Sequence, residues 1–346
     1  MHILIATDAW YPMINGVVRV IDSVRLRLFD RGHRVTVISP DQFASVPCPG
    51  YAEIPLAIAP QRRIRHFLKK DRPDVIHIAT EGPIGWATRA ACLSKGLPFT
   101  TAYHTKFPQY LTERLPIPLG WGYGALRRFH GPSRCVFSPS PSVAAELKER
   151  GFSNVLEWSH GVDTRTFRPR GKGFFDLPGP IFMYVGRIAV EKNLPAFLDL
   201  DLPGSKVVVG RGPDRDALMK RYPDVLFHVC HGDDELSRCY SAADAFVFPS
   251  RTDTFGLVML EALACGVPVA AYPVPGPLDA LGATGPIDAG HGVLNDDLRA
   301  AALAAVGKSP DACRAYAEKF DWDRVTDQFL ANVVTLAAGP AATIAA

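Results

Sequence analysis

Ala245-Phe-Val-Phe-Pro-Ser250, Asp253-Thr-Phe-Gly-Leu-Val-Met-Leu-Glu261 and Ala262-Leu-Ala-Cys-Gly266-Val-Pro-Val-Ala-Ala271 read as strand, short loop, helix and strand. An apolar run rich in Phe and Val enters a polar loop, and an apolar helical run leaves it. Such a loop sets free backbone N–H groups and the positive end of a helix at the carboxyl edge of a sheet, where a phosphate sits. Asp253 in the loop and Glu261 about two turns into the helix are then placed to hold two parts of one extended ligand.

The same alternation runs outward in both directions. Upstream, Ile181–Val185, Lys206–Val209 and Val225–Phe227 are strand-like, and Pro268–Ala271 follows the helix. Earlier still come Ile3–Ala6, Arg34–Ile38, Asp74–Ile78, Phe99–Tyr103 and Cys135–Phe137, with a helix carrying Val20, Val24 and Leu28 after the first. Continuous apolar strands separated by helices predict parallel sheets covered on both faces. The alternation pauses at Gly161–Pro169 and Arg170–Gly173, a polar stretch bearing Gly and Pro that reads as a linker. We therefore expect an α/β chain of two Rossmann-like, doubly wound domains, residues 1–165 and 166–314, with a cleft between the carboxyl ends of their sheets. A helix over 315–336, with Trp322, Val325, Phe329 and Val333 on one stripe, is expected to cross back to the first domain, and residues from about Gly339 to be disordered.

Composition fits a soluble enzyme of 346 residues and about two domains. The seven Cys form no CxxC pair and are odd in number, which reads as reduced thiols in a cytosolic protein rather than a disulfide frame or a zinc site. No group has metal-ligand spacing, so no metal or other cofactor is expected. No apolar run approaches a membrane span, and the N-terminus reads as a core strand rather than a signal peptide. Residues 1–165 carry a net charge of +8 and the remainder −5. A basic first half suits phosphates of nucleic acid, anionic lipid or an acidic substrate.

Asn15-Gly-Val-Val-Arg19 follows the first strand, where Gly16 lets the backbone approach a phosphate. There is no GxGxxG, which argues against a dinucleotide site. Val185-Gly-Arg-Ile-Ala-Val-Glu-Lys-Asn193 follows a strand of the second half. Its Arg187 and Lys192 are the cations a departing diphosphate needs, Arg bidentate and Lys as a point charge.

These stretches, with Val209-Gly-Arg-Gly-Pro213, occur in the order seen in the retaining glycosyltransferases of family 4, which have the GT-B fold. The Asp253…Glu261 block resembles that family's E-x7-E signature with Asp in place of the first Glu, and the likeness covers residues 1 to about 335. The resemblance implies that Arg187 and Lys192 hold the donor diphosphate and that Glu261 bonds the ribose hydroxyls. It implies that Asp253 and the backbone of Thr254, Phe255, Gly256 and Leu257 hold the sugar and phosphates, and that Gly16 packs near the diphosphate. The base is expected near Val229–Gly232, at His231 and Gly232. His104, in Tyr103-His-Thr-Lys-Phe-Pro-Gln-Tyr110, is expected beside the donor sugar. His160 reads as mostly structural and His77, in an apolar strand, as a core histidine. Retention without a covalent nucleophile fits front-face attack, in which the leaving diphosphate takes the acceptor's proton. A sugar-nucleotide 2-epimerase on the same fold would show a different set of carboxylates and His.

Arg62-Arg-Ile-Arg-His-Phe-Leu-Lys-Lys-Asp-Arg72 carries six cations against one Asp and reads as a helix with a narrow stripe of Ile64, Phe67 and Leu68. Arg62, Arg63, Arg65, Lys69 and Lys70 could meet an anionic leaflet. Equally, the stripe could pack on the helix's own sheet. Trp121, Tyr123 and Leu126-Arg-Arg-Phe-His130 add basic and aromatic residues to this half. The blocks look most like bacterial glycolipid-forming members such as glucosyl- or glucuronosyl-diacylglycerol synthases. That implies a UDP-sugar donor, a lipid acceptor such as diacylglycerol, and a cytoplasmic protein peripheral on the inner face of the plasma membrane. GDP-mannose with a lipid or polysaccharide acceptor is the second reading. A nucleotide-sugar-binding protein without activity is opposed by the presence of Arg187, Lys192, Asp253 and Glu261. A nucleic-acid partner is opposed by the lack of stacking aromatics within the basic run.

Overall fold

The computed structural model describes residues 1–13, 15–48, 51–106, 108, 118–253 and 255–338. It divides the chain into two compact units, Met1–Ser159 with the segment from Trp322 onward, and His160–Asp321. The sequence reading drew the division six residues later, inside the polar linker.

The first unit holds β1 (His2–Ala6), β2 (Arg34–Ile38), a two-stranded hairpin of β3 (Ser45–Cys48) and β4 (Tyr51–Ala57), then β5 (Val75–Ile78), β6 (Thr100–Ala102), β7 (Val136–Ser138) and β8 (Val155–Glu157). Its main sheet runs β2-β1-β5-β6-β7-β8, parallel throughout. Ile3 to Ala6 of β1 and all of β5 are buried, as expected of strands covered on both faces. Helix Gly16–Asp30 buries Val18, Val20, Ile21, Val24 and Leu28. It begins where the Asn15 side chain accepts from the Val18 N–H at 3.0 Å, an N-cap that satisfies one of the helix's free donors.

The second unit holds β9 (Ile181–Val185), β10 (Ser205–Val209), β11 (Leu226–His228), β12 (Ala245–Phe248), β13 (Val269–Ala271), β14 (Ile287–Ala289) and β15 (Gly292–Leu294). They order as β11-β10-β9-β12-β13-β15-β14, with only β14–β15 antiparallel. In each unit the strand order reverses direction beside the first strand. In doubly wound sheets, ligands gather at the carboxyl edge of that reversal point. It lies between β1 and β5 in the first unit and between β9 and β12 in the second.

One expectation changes and one open alternative is decided. No single helix covers 315–336. Helix Pro310–Ala317 and a 3-10 turn Glu318–Phe320 end at Asp321, and a new helix starts at Trp322. The break is held by bonds that a continuing helix would lose. The Phe320 carbonyl accepts from the Val162 N–H at 2.8 Å, and the Asp321 carboxylate accepts from the Thr164 hydroxyl at 2.6 Å. The predicted stripe survives on the helix Trp322–Ala338, where Trp322, Val325, Phe329 and Val333 are all buried in the first unit. The open alternative was at the basic run. Its helix, Gln61–Asp71, buries Ile64 and Leu68 in the first unit's core beside Leu4, Ile76 and Phe99, with Phe67 half-buried against it. The apolar stripe packs on its own domain, and Arg62, Arg63, Arg65, Lys69 and Lys70 are left exposed. Residues from Gly339 onward, like Phe107, Gln109 and Tyr110 of the His104 block, lie outside the described residues.

Candidate active site

The second unit's reversal point is built from the loops that follow β9 and β12. Gly186 passes its N–H to the Val209 carbonyl at 3.0 Å, and Ile188 N–H reaches the Arg211 carbonyl at 2.8 Å, so the loop stays in line with the sheet. It then turns through the 3-10 segment Val190–Lys192 into Asn193, whose backbone is left-handed. The Asn193 amide donates to the Pro249 carbonyl at 3.1 Å and ties this loop to the end of β12. Asn tolerates that backbone region better than most residues, which is why it suits the position. Tyr184, buried in β9, donates its hydroxyl to the Arg187 carbonyl at 3.0 Å. Burial, with the charges of Asp253 and Glu191, pushes that phenol well above its usual range, so it remains a donor.

The β12 loop brings Asp253 against Lys192, and the Lys192 ammonium donates to Asp253 Oδ1 in a part-buried ion pair. Asp253 Oδ2 is buried and has no hydrogen-bond partner among the described residues. Ser250 Oγ, one turn earlier, is in the same condition. Buried polar atoms are nearly always satisfied, so two such acceptors at a sheet edge fit a site shaped for hydroxyl-bearing ligand. The loop lies against Gly276, where a Cβ would come within 2.6 Å of the Asp253 carbonyl. Any larger residue there would push Asp253 away from Lys192.

Gly256, with a left-handed φ of +85°, opens the helix Leu257–Ala264. Glu261 is 6% exposed and accepts from the Tyr240 hydroxyl at 2.8 Å. That hydroxyl fixes the orientation of the Glu261 carboxylate. The far end of this helix is fixed by Arg314. Its guanidinium donates to the Ala264, Thr164 and Phe167 carbonyls at 3.0, 2.8 and 2.7 Å. These free carbonyls are those that a helix end and a tight loop leave over.

Of the predicted site residues, Arg187, Lys192, Asp253, Gly256, Leu257 and Glu261 all lie on the β9 and β12 loops or the helix that follows. Arg187 is exposed. Phe255 belongs to the core, 2% exposed and edge-on to His160, so only its backbone is left to face a ligand. His231 and Gly232 are exposed and start the helix Asp233–Ala242, where the His231 N–H reaches Glu235 at 2.7 Å. Thr254 lies outside the described residues. Gly16 and His104 belong to the first unit. Gly16 is the first residue of its helix. His104 is buried, edge-on to Trp158 at 6.2 Å, and burial lowers its pKa to about 4, so it is neutral at ordinary pH. His77 is a core histidine, bonded to Thr100 at 2.9 Å and ringed by Phe137, Trp158 and Phe329. Burial, and then the nearby His104, lower its pKa to about 3.

Sequence reasoning did not find Tyr240, Ser250, Gly276 or Arg314. Tyr240 carried a weak signal as a polar aromatic in an amphipathic helix ahead of the site. Gly276 and Arg314 act through backbone contacts, and Ser250 through a side chain whose burial only the fold decides, so none leaves a spacing in the sequence. Nor did spacing reveal a group that the fold assembles. His228, Cys230 and Cys239 bring a ligating atom each within 4.8 Å of one another, the one such group among the described residues.

Comparison with known proteins decides the family. A model described as Glycosyltransferase Family 4 matches residues 14–166, and one described as Glycosyl transferases group 1 matches residues 179–308. The chain belongs to glycosyltransferase family 4. It is 32% identical over 248 residues to the sulfoquinovosyl transferase SQD2 of Arabidopsis thaliana, a match that takes in 66% of this chain and 48% of the plant protein, about half its length. It is 28% identical over 306 residues to a GDP-mannose-dependent alpha-mannosyltransferase of Mycobacterium tuberculosis, covering 81% of each. It is 24% identical over 320 residues to the alpha-monoglucosyldiacylglycerol synthase of Acholeplasma laidlawii, covering 78% of this chain and 79% of that one. Among solved structures, the sucrose-phosphate synthase of Thermosynechococcus elongatus superposes with a TM-score of 0.74 at 20% identity, over 97% of this chain and 98% of that one. That likeness establishes the GT-B fold, two Rossmann-like α/β domains. The family 4 chain has no described helix long and apolar enough to cross a membrane.

Proposed function

We propose that this chain moves a hexosyl or hexuronosyl group from a UDP-sugar to a lipid acceptor such as diacylglycerol, with retention at the anomeric carbon, forming an α-glycosidic bond. The observation that carries the reading is the Lys192–Asp253 pair, with Oδ2 of Asp253 left without a partner, at the reversal point of the second sheet. In this reading Asp253 accepts from a sugar hydroxyl, and Glu261, held by Tyr240, accepts from the ribose. Lys192 and Arg187 meet the diphosphate. The bond from the anomeric carbon to the phosphate oxygen breaks as the bond to the acceptor oxygen forms on the same face. The acceptor's proton passes to the departing phosphate oxygen. Two cations aimed at the charge that develops there lower the barrier without a divalent ion.

The lipid acceptor is supported by the exposed cations of the helix Gln61–Asp71, by an open groove lined by Phe43, Arg62, Arg63 and His66, and by Trp121, which is 76% exposed. With Ile64 and Leu68 spent on the core, the helix would be held to a leaflet by charge, about 1 kcal/mol per cation near the surface, rather than by insertion. The relative from Acholeplasma laidlawii, a diacylglycerol-glucosylating synthase by name, supports the same acceptor class. A GDP-mannose donor is the second reading, favoured by the mycobacterial relative matched over 81% of both chains.

Release of UDP from UDP-sugars, and of GDP from GDP-mannose, with and without diacylglycerol in anionic vesicles, tests the proposal. We expect vesicle-dependent UDP release that weakens with salt, because exposed charges are screened within about 8 Å at physiological ionic strength. Lipid-dependent GDP release alone would establish the second reading. Release of neither, with tight nucleotide binding, would show a binding protein without transferase activity. Replacing Arg62, Arg63, Lys69 and Lys70 with Ser should lower vesicle sedimentation and spare nucleotide binding. Unchanged sedimentation would remove the membrane from the proposal.

A further inference from the structure

His228 ends β11, Cys230 lies two residues on, and Cys239 sits in the second half of the helix Asp233–Ala242. The two sulfurs are 3.1 Å apart, closer than unbonded sulfurs normally rest, and a His228 ring nitrogen completes a triangle within 4.8 Å. Cys239 is fully buried, whereas Cys230 and His228 reach the surface, so a small ion has an entry path. His228 Nε2 is bonded to Glu235 Oε1 at 2.9 Å, which leaves Nδ1 as the nitrogen for a ligand. A carboxylate behind the ring of a ligating histidine fixes its tautomer and raises its basicity. Glu235 is itself fixed, since its other oxygen accepts from the His231 N–H at 2.7 Å.

We propose that His228, Cys230 and Cys239 form a zinc-class metal site, oriented by Glu235, that staples the end of β11 to the helix Asp233–Ala242. Two thiolates and one imidazole are the donor set of a borderline-soft, tetrahedral cation, with a fourth position left to water or an incoming group. In a tetrahedral zinc site the sulfurs stand about 3.8 Å apart, given Zn–S bonds of about 2.3 Å. The pair has to open by well under an ångström, a movement within reach of one side-chain torsion. Charge and protons balance: the cation brings two positive charges, each thiol gives up one proton, and the filled site is neutral. Affinity must fall as pH falls, because protons compete with the cation for the two thiolates. Cys239 directly precedes Tyr240, the residue that orients Glu261, so the staple sets the rotation of the helix behind the ribose-binding carboxylate. That consequence alone rests on the reading under Proposed function.

The test is metal content of the full chain, reduced, stripped by a chelator and titrated with zinc against a chromophoric competitor. We expect one equivalent to bind, and cobalt in its place to give a thiolate charge-transfer band in the near ultraviolet. Cys230→Ser and His228→Gln, both at the surface, should each lose the band and weaken zinc at least a hundredfold, and Glu235→Gln should weaken it about tenfold. Cys313→Ser, a buried thiol elsewhere, should change nothing. Far-ultraviolet dichroism checks that each variant folds. No zinc bound by the reduced chain, undiminished binding in Cys230→Ser and His228→Gln, or a Cys230–Cys239 disulfide found in chain purified under reductant would each overturn the site. These readouts do not involve turnover, so they stand whether or not the donor reading does.

Discussion

The two sheets reverse at equivalent places, and the chain treats those places in opposite ways. In the first unit the reversal point is filled by the chain itself. Asp8, just past β1, sets its carboxylate on the N-terminus of the helix Pro83–Lys95. It accepts from the Ile84 and Gly85 N–H groups at 2.8 and 3.2 Å and from the Thr80 hydroxyl at 2.9 Å. A Cβ on Gly82 would strike that carboxylate at 2.4 Å, so the closure is also steric. In the second unit the same edge carries an ion pair with a carboxylate oxygen unmet and an exposed Arg187 beside it. A doubly wound sheet offers an anion site by its topology. Whether the site receives a ligand depends on whether the sequence supplies a carboxylate to occupy it or cations to leave it open.

The comparison breaks most readily at its cationic end. Lys192→Ala and Arg187→Ala should each lower kcat by at least tenfold, since a lost donor to developing charge costs about 2.7–4 kcal/mol, with thermal unfolding unchanged. Near-normal turnover in both would mean that the open reversal point is not the reaction site. At the closed end, Asp8→Ala strands two backbone donors and a hydroxyl. It should cost about 1–3 kcal/mol of stability, read from urea midpoints, and leave nucleotide affinity within about twofold. A loss of nucleotide affinity as large as that from Lys192→Ala would show that the first reversal point also binds ligand.

Acid should destabilise the first unit through two buried histidines. His77 and His104 have folded-state pKa values of about 3 and about 4, below the 6.5 they regain on unfolding. The unfolded chain therefore takes up their protons first. Their contribution is full above pH 6.5 and is lost as pH falls from there toward 4, by about 1.4 kcal/mol per pH unit for each. Unfolding midpoints flat between pH 7 and 5 would contradict this. The smallest effect sharpens the pair itself. Asp253→Asn should release Lys192 and tighten nucleoside diphosphate by about fivefold, roughly the 1 kcal/mol of a part-exposed ion pair, while transfer slows. Calorimetry showing weaker binding would mean that Asp253 positions Lys192 rather than restrains it.

Much of this was legible in the chain because the signals were local. β2, β9 and β12 have the bounds that their apolar runs predict, and the order of the chain puts Arg187, Lys192 and Asp253 on the loops after β9 and β12 and Glu261 in the helix that follows. The hairpin of β3 and β4 was not legible. Pro47 and Pro55 stand opposite each other in it, and Pro within a run argues against a strand. The break at Asp321 was hidden because helical periodicity continues through it, and the bonds that interrupt it come from Val162 and Thr164, far away in sequence. The role of Asp8 was not legible either. It depends on Thr80, Ile84 and Gly85, which only the pairing of β1 with β5 brings near.

The helix Trp322–Ala338 seals the first unit by laying Phe329 against His77, Phe137 and Trp158, whose indole donates to the Val325 carbonyl at 3.1 Å. On the ribosome that closing piece emerges after the whole of the second unit, while domains generally fold in the order they are made. The first unit is thus completed only after the second, and its aromatic core waits uncovered until that helix is made. A chain stopped at Asp321 should accordingly show a protease-resistant second unit beside a first unit that is cut readily.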